Sequence, residues 1–388
     1  MSEHRWTLID AAAGLCEDQW HKTAGDVADP SGNWRISQRT LHGGLSEGVQ
    51  LVEIDNGRMK LSVLPTRGMG VWRAEMADRS LGWKSPVRGP VHPSFVPLED
   101  PSGLGWLEGF DELMCRCGLE SNGAPAFNEH DRLQYGLHGR IANRPAHHVE
   151  LSVDEATGVI QLRGVVEETR FHFQKLRLTS TITTCVGSSS FCWHDEVENF
   201  GGTPASMQML YHVNIGQPWL EPGAQLVAPV EQVAPNAVSD VSTPAWNAYG
   251  PPQPGAAEQV YFFRLRADDA GETQVLLKNP AGDGGVGLQF NQKQLPCFTV
   301  WKNSVAEADG YVTGIEPATN FPNPRPLEES HGRIIALHPG ARWQAEVTLD
   351  WLTSAAEVSR AEEAIAQLQG ASAPIVHARP RQAWSEGV

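Results

Sequence analysis

Hydrophobic and polar residues alternate with a period of two along much of this chain, which is the pattern of half-buried β-strands. Residues 49–54 and 59–64 alternate in this way on either side of Asp-Asn-Gly at 55–57, and Asn-Gly suits a type I′ turn. Residues 149–153 and 159–166 flank an Ala-Thr-Gly turn in the same manner. We therefore predict a β-hairpin at each place.

Further strand patterns follow over the rest of the chain, at residues 169–184, 191–197, 207–215, 259–265, 275–277, 286–290, 298–301, 311–316, 332–337 and 343–349. Short strands separated by glycine and proline are typical of a β-sandwich or barrel. Residues 216–257 are rich in proline, glycine and alanine and carry few strand signals, so we predict a functional loop or a capping excursion there.

One helical pattern stands near the C-terminus. Ser-Ala-Ala-Glu at 354–357 is a capping box, and Gly370 supplies a stop. Val358, Ala361 and Ile365 fall on one face of the predicted helix between them. We expect it to cover an edge or an end of a sheet.

The fold class predicted is thus all-β with a C-terminal helix, in a single domain over residues 1–388. Residues 1–40 form its lead-in, 41–350 its sandwich, and 351–388 its helix and tail. The formal net charge of −16 argues against nucleic-acid and anionic-membrane partners. No apolar run is long enough to cross a membrane, and no signal peptide is recognisable. Six cysteines without a CxxC pair favour reduced thiols in the cytoplasm. The pattern leaves a homodimer open.

The first candidate for chemistry is Glu316. It closes the apolar run 311–316, and Pro-Ala-Thr-Asn-Phe-Pro-Asn-Pro follows at once. Because proline stiffens the backbone, this acid would be held at the rim of a sheet, as general acid–base chemistry needs. A surface glutamate after a strand is an equally good interpretation of this motif alone.

A polar stripe runs along the predicted strand 207–215. Gln208, His212 and Asn214 share one face of it because side chains alternate across a strand. A lone histidine in a strand is usually structural. A histidine between Gln and Asn on the same face is better explained by a polar cleft, so Gln208 and Asn214 are substrate-binding candidates.

Two glycine-rich segments add further candidates. His138 lies in Leu-His-Gly-Arg, where glycine permits close approach of a ligand, and Arg140 adds donors suited to hydroxyl and carboxylate oxygens. Arg67 stands between a strand and a glycine turn, as a surface cap or a ligand clamp. Asn122, in Glu-Ser-Asn-Gly, is a further substrate-binding candidate.

Several familiar chemistries lack their motifs. The chain has no nucleophile elbow, no Walker loop, no dinucleotide fingerprint before a helix and no HExxH. The linear spacing of its histidines specifies no metal site. We therefore expect neither a metal nor an organic cofactor.

Taken together, several strings resemble the aldose 1-epimerase (galactose mutarotase-like) superfamily, and most closely a bacterial aldose 1-epimerase-like branch. They are LPTRGMG, GWKSPVRGPVHP, GFDEL, GLESNGAP, LHGRIANRPAH, YHVNIG, FTVWKN and GIEPATNFPNPR, and they span roughly residues 40–350. The resemblance implies a large twisted antiparallel β-supersandwich with a sugar cleft on one concave sheet.

The resemblance also implies roles for residues. His212 and Glu316 match the order and spacing of the family's catalytic histidine and glutamate, and His138 matches its first cleft histidine. The family's sugar-binding arginine has three candidates, Arg67, Arg116 and Arg140. No clear counterpart of its substrate-binding aspartate occurs near 240–250, where Asp240 has different surroundings.

The function implied is interconversion of the anomers of a free sugar by acid–base ring opening. Lys302 and Lys84 suggest an acidic sugar, because either would meet an anionic substituent. Two alternatives remain open: an isomerase, carbon epimerase or lyase acting on a keto-sugar in the same cleft, and a sugar-binding protein without catalysis.

Overall fold

The computed structural model describes residues 3–27, 32–237, 239 and 246–385, and the account below concerns those residues. Their strands are β1 (Glu3–Asp10), β2 (Leu15–Cys16), β3 (Gln19–Thr23), β4 (Arg35–Thr40), β5 (Gln50–Asp55), β6 (Lys60–Leu64), β7 (Gly70–Met76), β8 (Arg79–Leu81), β9 (Met114–Leu119), β10 (Ala126–Phe127), β11 (Leu133–Tyr135), β12 (Ala146–Asp154), β13 (Val159–Thr169), β14 (Lys175–Cys185), β15 (Ser190–Asn199), β16 (Ala205–Ile215), β17 (Gln225–Val227), β18 (Val230–Pro235), β19 (Gln259–Leu265), β20 (Glu272–Lys278), β21 (Gly285–Asn291), β22 (Cys297–Asn303), β23 (Val312–Ala318), β24 (Ile335–Leu337), β25 (Arg342–Leu352) and β26 (Ile375–Val376). The α-helices of the described residues are α1 (Arg325–Ser330) and α2 (Ala355–Gln369), and short 3-10 helices lie in several of the connections.

Two large sheets face each other. The first runs β26-β18-β19-β22-β23-β16-β9-β7-β6-β5-β4-β3, with β24 beside β16 and β8 beside β7; the second runs β17-β20-β21-β25-β15-β14-β13-β12-β1-β2. All their pairings are antiparallel except that of β26 with β18, among the residues described. The predicted all-β sandwich is therefore confirmed.

The core between the sheets follows from strand alternation. In β14, Leu176, Leu178 and Ile182 are buried inward and their neighbours are partly exposed, as expected of a sheet with one wet face. In contrast, β9, β16 and β23 at the centre of the first sheet are buried on nearly every residue. Their second face is covered by loops, and the functional candidates lie on that face.

The first predicted hairpin is present but its turn differs. β5 and β6 pair as expected, with Asp55 opposite Lys60, so four residues connect them. Asn56 does not adopt the positive φ of a type I′ turn. Its buried side chain instead donates to the Thr184 hydroxyl and to the carbonyls of Cys185 and Ser188.

One predicted strand boundary is corrected, and two other segments carry strands that the sequence pattern did not indicate. The strand predicted at 169–184 is broken by a turn at 170–174, where Phe171 and Phe173 are exposed. The lead-in predicted at 1–40 contributes strands to both sheets. Residues 216–257 include β17 and β18, so this segment contributes a strand to each sheet as well as loops.

The C-terminal helix is as predicted. The Ser354 hydroxyl accepts the Glu357 amide at its N-terminus, and the Gly370 amide donates to the Ala366 carbonyl at its end. Val358 and Ile365 pack on Leu276 of β20, so α2 covers the second sheet.

Candidate active site

The site lies on the loop-covered face of β16 and its neighbours. Met209, Tyr211 and Val213 point into the core between the sheets. Alternation therefore places Gln208, His212 and Asn214 on the opposite face, as predicted. β23 pairs directly with β16, which brings Glu316 to the same surface.

His212 and Glu316 meet there. Nε2 of His212 lies 3.1 Å from Oε1 of Glu316, and their side chains are 5% and 3% exposed. Glu316 lies inside β23 and not at its end, because the strand continues to Ala318. The sequence predicted a strand ending at this acid, so the prediction of a strand-end rim is wrong.

Gly314 makes this contact sterically feasible. A Cβ on Gly314 would lie 2.3 Å from Oε1 of Glu316 and 3.0 Å from Cε1 of His212. Both distances are shorter than van der Waals contact, so only glycine fits beside the pair. Sequence reasoning missed this residue, although it stands two positions before Glu316 on the same strand face.

The orientation of His212 is set by Asn214. Nδ1 of His212 donates to Oδ1 of Asn214 at 2.6 Å, and Nδ2 of Asn214 donates to the Glu112 carbonyl at 3.0 Å. Because an amide oxygen only accepts, Nδ1 carries a proton and Nε2 faces Glu316. Asn214 was predicted to bind substrate, but its amide is occupied in orienting the histidine.

The burial of the pair favours its neutral form. Burial raises the pKa of Glu316 well above its usual value, and the Glu258 carboxylate raises it further. Burial lowers the pKa of His212 well below its usual value, and His138 adds to that effect. Both shifts favour an uncharged Glu316 beside an uncharged His212.

His138 stands beside them in a tight turn. Its backbone has φ 57°, and its ring centroid is 5.3 Å from that of His212. Nδ1 donates to the Asn122 carbonyl at 2.9 Å, which leaves Nε2 as an acceptor. Burial lowers the pKa of His138 to about 4, so this ring is neutral near pH 7. Asn122 pairs its own amide reciprocally with Asn320 and so positions His138; its predicted contact with substrate is not supported.

Unlike the side chains of Asn122 and Asn214, the side chain of Gln208 keeps an unused donor. Its Oε1 accepts a hydrogen bond from the backbone N–H of Asn122 at 3.2 Å, while its buried Nε2 has no partner among the described residues. The Thr299 hydroxyl, opposite Glu316 on β22, is also buried without a partner. These two groups keep hydrogen-bonding capacity on the face of the catalytic candidates.

Aromatic rings cover the pair. Phe110, Trp301 and Trp106 lie with centroids 5.1, 5.6 and 6.3 Å from the ring of His212, and Trp83 packs on Phe110 at 4.9 Å. Three of these rings come from residues 82–113, a segment between β8 and β9 without a strand. The sequence pattern gave no signal for Phe110.

Two of the arginine candidates, Arg67 and Arg116, bind other residues of the protein and do not face the His212–Glu316 pair. Arg67 is fully buried and donates to Glu112, the Gly109 carbonyl and Asn143, so it anchors the aromatic segment and cannot reach a ligand. Arg116 points to the other sheet and pairs with Asp195.

Arg140 also lies away from the His212–Glu316 pair. It bonds Glu120 at 2.7 Å and lines a cavity near His138.

Lys302 is placed on the wrong face for its predicted role. Glu316 pairs with Thr299, so Thr299 and Trp301 share its face and Lys302 points into the space between the sheets. There its Nζ donates to the Ala248 carbonyl at 2.7 Å and lies 4.4 Å from the Tyr249 ring centroid. Burial lowers its pKa to about 8. Lys84 lines a separate cavity, and the expectation of an acidic sugar loses its structural basis.

Two further sequence expectations concern metals and the missing aspartate. No group of three or more His, Cys, Asp or Glu suited to a metal ion occurs in the part of the chain that the structure describes. Asp240 lies outside the described residues. None of the helices in the described ranges has both the length and the apolar character needed to cross a bilayer.

Comparison with known proteins decides the family. Residues 46–351 match the family model described as a domain of unknown function, DUF4432. The chain belongs to the DUF4432 family. A comparison with curated proteins gives no match.

Solved structures extend this relationship. A crystal structure of a proposed aldose 1-epimerase from Klebsiella pneumoniae subsp. pneumoniae MGH 78578 is 35% identical, with a TM-score of 0.94 over 98% of this chain and 99% of that one. A galactose mutarotase-like protein from Clostridium acetobutylicum is 14% identical, with a TM-score of 0.55 over 87% and 99% of the two chains. Galactose 1-epimerase from Lactobacillus acidophilus NCFM is 9% identical, with a TM-score of 0.53 over 82% and 99%. This DUF4432 protein thus has the galactose mutarotase-like fold, and its resemblance to that superfamily is confirmed.

Proposed function

We propose that this protein is an isomerase that interconverts the α and β anomers of a free sugar. The observation that carries the proposal is the buried pair of His212 and Glu316, 3.1 Å apart, with His138 beside it. Ring opening of a sugar hemiacetal needs one proton removed from the anomeric hydroxyl and one delivered to the ring oxygen. An adjacent carboxyl group and imidazole, one to accept a proton and one to donate a proton, suit that exchange.

The proposed cycle balances protons. Glu316 as carboxylate takes the proton of the anomeric hydroxyl while protonated His212 gives its Nε2 proton to the ring oxygen, and the bond between C1 and the ring oxygen breaks. The aldehyde forms, the C1–C2 bond rotates, and the reverse transfers close the ring on the other face. An uncharged Glu316 beside an uncharged His212 carries as many protons as a carboxylate beside an imidazolium, so transfer of the Glu316 proton to Nε2 of His212 supplies the reactive form without exchange with solvent.

The neighbouring groups would bind the sugar. Nε2 of neutral His138 accepts a hydroxyl, Nε2 of Gln208 donates, and the Thr299 hydroxyl does either. A polyhydroxylated ligand would give partners to the buried Nε2 of Gln208, the Thr299 hydroxyl and Oε1 of Glu316, none of which has a hydrogen-bond partner among the described residues. Each such atom costs about 1–3 kcal/mol while unpaired. The apolar face of a sugar ring suits the surrounding aromatic rings.

The experiment is exchange NMR between the anomers of free sugars, with a panel of aldoses. We expect the protein to accelerate anomer exchange and Glu316→Gln and His212→Asn each to lower the rate by about 10²–10⁴-fold. The matched controls are Glu346→Gln and His194→Asn, because those residues form an exposed His–Glu pair on the other sheet. Unchanged exchange in Glu316→Gln and His212→Asn would refute the assignment.

The same spectra in deuterated water separate the alternatives. Deuterium entering a carbon-bound position would point to an epimerase, isomerase or lyase that removes a proton from carbon. Saturable sugar binding without anomer exchange or deuterium uptake would point to a binding protein. Anomer exchange with no deuterium on carbon supports the proposed reaction.

A further inference from the structure

The cavity that Arg140 lines adjoins the catalytic candidates. It has a volume of about 350 Å³ and lies where the turn between β13 and β14 approaches the loops of the first sheet. Leu137 and Gly139, the two neighbours of His138, line it. Trp106 lines it too, and its ring centroid is 4.7 Å from that of His138. One wall therefore separates this cavity from the His212–Glu316 pair.

The charged groups of the cavity are balanced. Arg140 and Arg170 face Glu99 and Glu120 around it, and Arg140 bonds Glu120 at 2.7 Å. Arg170 lies over the ring of Phe173 at 4.3 Å. Two cations and two anions leave no excess of either sign to attract an ionic ligand.

Two lining side chains carry polar atoms without partners. The Ser121 hydroxyl and the Trp106 indole nitrogen are buried, and neither has a hydrogen-bond partner among the described residues. Ser121 is 1% exposed and Trp106 2% exposed, so both atoms are withheld from bulk water. Buried polar atoms left unpaired are uncommon and costly. Hydrogen-bonding capacity is therefore unmet in the wall of this cavity.

We propose that this cavity binds the part of the substrate that lies beyond the reacting ring, and that this part is an uncharged, hydroxylated group such as a second sugar residue. The inference rests on the proposed function of the adjacent pair. The volume is at the lower end of the range of about 300–1,000 Å³ for small-molecule sites. The half-exposed ring of Phe173 and the guanidinium of Arg170 frame it with the apolar and hydrogen-bonding surfaces that a sugar uses.

The test compares glucose with the reducing disaccharides maltose and cellobiose, whose reacting unit is also glucose, and galactose with melibiose and lactose as a second set. Anomer exchange by NMR gives KM and kcat for each sugar. We expect at least one disaccharide to have a lower KM than its monosaccharide. Arg170→Gln should then raise the ratio of disaccharide KM to monosaccharide KM about tenfold, the effect of one hydrogen bond to a charged group.

The control is Arg163→Gln, an exposed arginine on β13 that pairs with Glu150 outside the cavity, and it should leave the ratio unchanged. Equal KM values for mono- and disaccharides in the wild type, or a ratio that Arg170→Gln does not change, would overturn the inference. Absence of anomer exchange is a different failure. In that case saturation-transfer NMR on the same sugars still tests the cavity: disaccharide binding weakened by Arg170→Gln supports it, and no binding of any disaccharide refutes it.

Discussion

At the scale of single residues, the contact between His212 and Glu316 depends on the absence of a side chain at Gly314. Gly314→Ala would place a methyl group 2.3 Å from Oε1 of Glu316. We expect the pair to separate and anomer exchange to fall about 100-fold, while overpacking costs about 1–3 kcal/mol of stability. Exchange NMR and thermal melting measure the two effects. Gly202→Ala, where no atom lies within 4 Å of the new Cβ, is the control. Full activity in Gly314→Ala would contradict the proposed geometry.

Asn214 is predicted to act through His212. Its hydrogen bond raises the pKa of His212, against the larger lowering by burial. Asn214→Ala should therefore lower kcat about tenfold. It should also move the acid limb of the pH profile to lower pH, because that limb follows the uptake of a proton on Nε2 of His212 in addition to the one on Nδ1. Asn214→Asp keeps the acceptor and adds a negative charge, so it should move that limb to higher pH. A pH profile unaffected by either change would show that Asn214 is merely structural.

The buried carboxyl group of Glu316 should lower the stability of the protein as pH rises. Its folded-state pKa is raised above the unfolded value. Its contribution to the free energy of unfolding is therefore most favourable below pH 4.5, and it is lost as pH rises toward the folded pKa. The glutamine of Glu316→Gln does not titrate. We therefore expect the free energy of unfolding of this variant, minus that of the wild type, to increase by about 1.4 kcal/mol per pH unit between pH 4.5 and the folded pKa. Denaturant unfolding at pH 5 and pH 8 measures this difference. A difference that does not grow with pH would contradict the assigned burial.

At the scale of elements, Asn56 joins the β5–β6 hairpin to the second sheet. Its Nδ2 contacts the Thr184 hydroxyl and two carbonyls at 3.0 Å each. Asn56→Ala would leave buried acceptors unpaired, and we expect a loss of about 3 kcal/mol in the free energy of unfolding. Anomer exchange of the folded variant should be unchanged, because Asn56 lies in the hairpin, far from the candidate site. Loss of activity without loss of stability would contradict this role.

The strands themselves could be predicted because alternation is a local property of the sequence. Residues 259–265 coincide with β19, and residues 207–215 lie inside β16, where the polar stripe was found. The prediction failed at Phe171 and Phe173, where apolar residues continue the alternation through a turn. It also failed for residues 82–113, whose aromatic rings follow no period and are placed only by tertiary contacts.

At the scale of the whole molecule, one buried ion pair links the two sheets. Arg116 of β9 bonds both oxygens of Asp195 of β15, at 2.5 and 3.0 Å, and both side chains are fully buried. Arg116→Met would leave Asp195 uncompensated and should cost about 3–5 kcal/mol. Adding Asp195→Leu should restore much of that loss. Chemical denaturation of the single and double variants measures it, and additive effects of the two changes would refute the coupling.

The sequence by itself determined the strand-rich fold and the two residues, His212 and Glu316, on which the proposed chemistry depends. It did so because strand alternation is local and because short motifs kept those residues in a recognisable order. Only the tertiary structure decided what each polar side chain contacts. The register of β22 against β23 turned Lys302 away from Glu316. Hydrogen bonds to distant segments, from Asn122 to Asn320 and from Asn214 and Arg67 to Glu112, made those three residues supports of the site. Such roles depend on partners far apart in sequence, and these come together only when the sheets assemble.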